Sequence, residues 1–298
     1  MTILLWITMI FLLILIAYLA VGAVAAFTLT RVGAHPQYTD DPGIFGVKYE
    51  AVNFPSRVDR LNIAGWYLPK PGATRAIILV HGRDASKQNA ISGKLPQLAA
   101  ELHGAGLAVL MIDLRGHGES AGKRYTFGVH ERRDVLGAVD FLLENGFEAG
   151  QIAALGISLG GAAVIGAAAE DTAIGALIAE STFADIYTLI QPRWKAESGL
   201  PFLFLPGVFW MWRVLMGFDL RTVKPVEELV RVPPRPVLIL HAWTDETVDV
   251  QHAYALKNAV PEAELVIFDH CEHAELYRDQ PEAYLKALIP FIRDQWPG

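Results

Sequence analysis

The stretch Ile152-Ala153-Ala154-Leu155-Gly156-Ile157-Ser158-Leu159-Gly160-Gly161-Ala162-Ala163 decides the fold. It opens as a short apolar run, the pattern of a strand buried on both faces of a parallel sheet. It closes on small residues of helix-forming composition, Leu159 to Ala169. Between the two stands G-x-S-x-G, in which a serine occupies a tight, strained strand-to-helix turn and the flanking positions must lack side chains. Such a turn lifts Oγ above the sheet edge and aims a helix N-terminus at a reacting carbonyl. Ser158 is therefore the candidate nucleophile.

Working outward, the same apolar run recurs at Ala76 to Val80, Ala108 to Ile112, Ala176 to Ala179 and Val237 to Leu240, with Leu265 to Phe268 as the last. Val47 to Phe54 and Ile63 to Leu68 are expected to open the sheet as an antiparallel pair. Helical stretches fall between: Gln88 to His103, His130 to Glu144, Gln251 to Ala259, and Ala283 to Gln295 at the end. This alternation predicts an α/β protein, with a mostly parallel eight-stranded sheet, right-handed crossovers and helices on its faces. Asp185 to Leu229 breaks the rhythm. It is too long for a crossover and carries Pro192, Pro201, Pro206 and Pro225, so a small helical cap is expected at about 185–229.

A serine nucleophile needs a base, and the loop after the last strand offers Asp269-His270-Cys271-Glu272-His273-Ala274-Glu275. His273 is the candidate, because it follows a short loop with room to return over the sheet edge; His270 stands too close to the strand end. The orienting acid should follow Val237 to Leu240, where Asp245 has Glu246 and Asp249 as neighbours. It would accept the Nδ1 proton and stabilise the imidazolium. Two backbone N–H groups should hold the oxyanion, one on Leu159 and one on Arg83 in the loop His81-Gly82-Arg83-Asp84. The side chains of Arg83 and Lys87 read as solvated. The two histidines lack the flanking glutamate and third ligand of a zinc site, so no metal or organic cofactor is implied.

These segments, in the order Ser, Asp, His, resemble the α/β-hydrolase superfamily over nearly everything after residue 30. Asp113-Leu114-Arg115-Gly116-His117-Gly118-Glu119-Ser120 looks like its D-x-R-G-x-G-x-S turn, which the resemblance makes structural, with no catalytic part for His117. Glu180-Ser181-Thr182-Phe183 leads into the insertion as in the serine-aminopeptidase and monoacylglycerol-lipase-like branch. That branch implies hydrolysis of an ester, thioester or amide without a cofactor. His241-Ala242 and Cys271-Glu272-His273 depart from the usual H-G and G-x-G-H. The expectation is a serine esterase working through an acyl-enzyme on a small-molecule or lipid acyl substrate. Its rivals are an amidase or aminopeptidase, in which Glu180 or acids of the cap would bind an amine, and a hydrolase-fold binding module without activity.

Of 298 residues, 52% are hydrophobic and 19% charged, enough for a large core. A net charge of −7 with no basic run excludes a nucleic-acid partner. Cys271 is the only cysteine, so no internal disulfide is possible. From Ile3 to Leu29 there is no charge, and a helix of that length reaches about 40 Å, more than the roughly 30 Å hydrocarbon core. Ala23-Val24-Ala25 resembles a cleavage site. Yet Met1-Thr2 supplies no basic n-region, and the apolar run outlasts an ordinary signal peptide. Residues 1–30 are thus expected to be a retained single-pass anchor, with the hydrolase domain over 31–298. Val32 to Gly43 reads as a linker. Arg31 after the span, with no Lys or Arg before it, favours a cytoplasmic catalytic domain.

Overall fold

A computed structural model describes residues 2–33 and 38–296. Positions 34–37 of the expected linker lie outside the described residues. The strands are β1 (Glu50–Pro55), β2 (Asn62–Leu68), β3 (Ala76–Val80), β4 (Ala108–Ile112), β5 (Ile152–Ile157), β6 (Ile174–Glu180), β7 (Val237–Ala242) and β8 (Glu264–Phe268). They form one sheet in the order β1-β2-β4-β3-β5-β6-β7-β8. β2 pairs antiparallel with β1 and with β4, and every later pairing is parallel. β3, β4 and β5 are buried throughout, which is why they read as unbroken apolar runs rather than as alternating ones.

The helices are α1 (Thr2–Leu29), α2 (Ala90–Gly93), α3 (Leu95–Gly104), α4 (Glu131–Glu144), α5 (Leu159–Glu170), α6 (Ile186–Ser198), α7 (Leu205–Met216), α8 (Pro225–Leu229), α9 (Val250–Ala259), α10 (Leu276–Asp279) and α11 (Pro281–Pro290). Alternate strand residues such as Ile77, Leu79, Met111, Leu155 and Ile178 pack with Leu98, Tyr284 and Phe291 of the α3, α10 and α11 side. α4, α5 and α9 pack on strands from the other side. The expected helix Gln88 to His103 is broken into α2 and α3, with Ile91 (φ 55°) and Ser92 (φ 47°) in left-handed backbone. Composition alone could not disclose that break, since Ile is a residue that disfavours such angles.

The chain divides into two compact units. Val32–Ala184 and the residues from Pro225 onward carry the whole sheet. The other unit joins α1 and its end at Arg31 to Asp185–Lys224. Pro225–Leu229, counted with the cap in the sequence, groups with the sheet. Within the smaller unit, α1 lies along α7. α1 is the one described helix long and apolar enough to cross a membrane, by length and composition.

Candidate active site

Ser158 stands between β5 and α5 with φ 53° and ψ −111°. A non-glycine residue holds such angles only where its surroundings over-determine them. Two glycines do so here. A Cβ on Gly156 would fall 2.3 Å from the carbonyl oxygen of Gly160, and one on Gly160 would fall 2.5 Å from the carbonyl oxygens of Val80 and His81. The Ser158 N–H also donates to the carbonyl of Glu180, at the end of β6, over 2.8 Å.

His273 Nε2 lies 3.0 Å from Ser158 Oγ, and its Nδ1 lies 2.7 Å from Asp245 Oδ2. An ionised carboxylate only accepts, so the proton belongs on Nδ1 and Nε2 is left to accept from the serine hydroxyl. Asp245 is fixed in turn, since its Oδ1 accepts the N–H groups of Thr247 and Val248 at 2.8 Å each. Burial of this carboxyl opposes ionisation, but the His273 hydrogen bond, with help from Val248 N–H and His241, outweighs it. Asp245 is held below the usual carboxylate range. The structure therefore brings Ser158, His273 and Asp245 into one hydrogen-bonded chain. His270 is solvent-exposed.

The loop expected to hold the oxyanion follows β3. A Cβ on Gly82 would come within 3.3 Å of Ser158 Cβ, so this loop runs directly beside Ser158. Arg83 follows, with its side chain exposed and 3.6 Å from Asp84. Buried histidines brace the loop. His81 Nδ1 donates to the Gly82 carbonyl at 2.7 Å, while its Nε2 accepts the N–H of Leu114 at 3.0 Å. His117 Nε2 accepts the N–H of Asp84 at 3.2 Å. Leu159 opens α5, at a position where helix N–H groups have no partner within the helix.

Lys87 corrects the sequence reading. It is buried, not solvated, with Nζ 2.6 Å from Asp113 Oδ2 and from Glu119 Oε2 and 4.9 Å from the centre of the Trp66 ring. The reason is Asp113, whose carboxylate at the end of β4 is wholly buried and requires a counter-charge. Cys271 is buried too, and burial pushes its thiol up to about 11, which makes it a poor nucleophile.

Sequence reasoning missed how Glu180 and Ser181 join the two halves of the site. Glu180 gives its carbonyl to Ser158. Its wholly buried carboxyl accepts the Tyr284 hydroxyl on Oε2 at 2.7 Å. Burial pushes this carboxyl up to about 7 against the pull of the Tyr284 bond. Ser181 (φ 49°) accepts the N–H of Ala274 on Oγ at 3.3 Å. An acid ending an otherwise apolar strand was the available signal.

A mostly parallel sheet of eight strands, with a strained serine at the turn after its fifth, is the fold of the α/β hydrolases. Residues 72–208 match the family model of the S33 serine aminopeptidases, in keeping with that fold. It is 28% identical to the uncharacterized protein YqkD of Bacillus subtilis, over 78% of this chain and 75% of that one. Among solved structures, the esterase Pf2001 of Pyrococcus furiosus is similar with a TM-score of 0.70 at 20% identity, over 89% of this chain and all of that one. Est1E of Butyrivibrio proteoclasticus, solved with ferulic acid, is similar with a TM-score of 0.65 at 22% identity, over 83% of this chain and all of that one.

Proposed function

We propose that this chain is a membrane-tethered serine hydrolase that cleaves carboxylic esters, including lipid or thioester acyl groups. The observation that carries the reading is the chain of contacts Ser158–His273–Asp245, in which the Asp245 carboxylate favours the proton on Nδ1. Ser158 Oγ attacks the acyl carbonyl as His273 Nε2 takes its proton. The tetrahedral oxyanion is held by the N–H groups of Arg83 and Leu159, a type of donor worth about 2.7–4 kcal/mol in the transition state. His273 then passes its proton to the departing alkoxide, leaving an acyl-Ser158 ester. Water, deprotonated by the same imidazole, attacks that ester and releases the acid. Asp245 keeps the ring in the working tautomer and stays ionised throughout.

The amine-recognising alternative finds less support. Glu180 is wholly buried and engaged by Tyr284. The insertion's acids are engaged as well: Asp185 caps α6, Asp219 binds Arg221, and Glu197 binds Arg193. α1 supplies the membrane tether by its length and composition. The test is a fluorophosphonate probe together with p-nitrophenyl esters of increasing chain length. Wild-type protein should be labelled and should turn over esters; Ser158→Ala should lose both while melting at the same temperature. Labelling that survives in Ser158→Ala would remove the assignment. Faster turnover of aminoacyl-naphthylamides than of any ester would move it to the amidase reading.

A further inference from the structure

We infer that α7 and the Phe202–Phe204 turn before it lie in the bilayer beside α1, so that the insertion as well as the anchor contacts lipid. The inference rests on the reading of α1 as a membrane span and concerns the smaller unit alone.

Four observations carry it. The first is the packing of α1. Its residues before Tyr18 are exposed, whereas Tyr18 and Gly22 turn one face toward the insertion. Both belong to the same uncharged apolar helix, whose length suffices to cross the roughly 30 Å hydrocarbon core, so the insertion packs on the span itself. A Cβ on Gly22 would meet the Gly207 carbonyl at 2.9 Å, and Tyr18 stacks on Phe204 with ring centres 5.4 Å apart.

The second is the character of α7. One side is buried through Val208, Phe209 and Trp212, yet the other exposes Trp210 and Val214, both more than half accessible. Phe202 and Leu203 extend that face at 52% and 61%. A helix that is apolar on both sides suits lipid or a protein core rather than water. Arg213, on the exposed side, has a stem long enough to reach the headgroups.

The third is the treatment of backbone polar groups at the start of α7. The Tyr18 hydroxyl donates to the Leu203 carbonyl at 2.8 Å and accepts the Gly207 N–H at 3.0 Å. Side-chain satisfaction of such groups is what a medium without water requires. The fourth is charge. Between Asp185 and Lys224, Arg193, Lys195, Arg213, Arg221 and Lys224 outnumber Asp185, Glu197 and Asp219, in a chain whose net charge is −7. A local cationic excess suits a surface of anionic headgroups.

The experiment uses the full chain in vesicles of phosphatidylcholine mixed with phosphatidylglycerol. Cysteines are placed singly by Leu12→Cys, Trp210→Cys, Val214→Cys and Val58→Cys, then spin-labelled. Accessibility is read against oxygen, which partitions into lipid, and a neutral nickel chelate, which stays in water. Unchanged far-ultraviolet circular dichroism and melting select the variants that fold. Positions 210 and 214 should show an oxygen-to-nickel ratio like that of position 12 and several-fold above that of position 58. If 210 and 214 match 58 while 12 reads lipid, the anchor stands and the inference is overturned. If position 12 also reads water, the membrane reading of α1 falls and takes the inference with it.

Discussion

Glu180 is the residue whose chemistry is least visible in the primary structure. Its carboxyl, raised from the usual 4.5 to about 7 by burial, is more easily kept neutral in the folded chain than in the unfolded one. The stability it lends is therefore complete below about pH 4.5 and is lost as pH rises to about 7, because ionising it then costs more folded than unfolded. Glu180→Gln keeps an acceptor for the Tyr284 hydroxyl and cannot ionise. Across pH 5 to 8 its melting temperature should fall less than that of the wild type, opening a gap of several degrees, at about 2–4 °C per kcal/mol. Thermal scans at stepped pH check this, and parallel curves would show that Glu180 does not titrate in that window. Asp245 has the opposite sign. Its lowered pKa supports the fold above the carboxylate range and withdraws that support in acid.

Among the elements, the loop after β3 shows how backbone and side chain divide their work. Arg83 is proposed to act through its N–H, while its guanidinium is exposed and lies near Asp84. Arg83→Ala retains the N–H and should leave kcat within a few-fold. Arg83→Pro deletes the donor and should lower kcat about 10²- to 10³-fold, the usual cost of losing one oxyanion donor. Ester kinetics on both variants, with melting temperatures to confirm folding, provide the check; equal losses would place the donor elsewhere. The same loop is braced from behind by His81 and His117, and Lys87 beyond it neutralises Asp113. Residues that look catalytic by type are struts here, because the buried end of β4 carries a charge that must be answered.

For the molecule as a whole, the membrane reading rests on hydrophobic burial rather than on charge. Extraction with alkaline carbonate or with 1 M salt, which releases proteins held by charge, should leave the chain in the membrane pellet, since salt screens ion pairs and leaves apolar transfer intact. Appearance of full-length protein in the supernatant would mean that α1 does not span. A shortened soluble chain starting near Ala26 would mean that it is cleaved.

The sequence by itself determined the sheet, its mostly parallel sense and the three residues that meet at its edge. Strands buried on both faces must be apolar throughout, and a serine elbow tolerates little but glycine around it, so both leave marks in residue order. Only the tertiary structure decided that Lys87 is buried, that Glu180 and Ser181 join the Ser158 turn to the loop carrying His273, and that α1 packs on α7. Those facts depend on which distant groups come within a few ångströms. A lysine, an acid at a strand end or an apolar helix has the same local pattern whether its partner is water, lipid or another side chain.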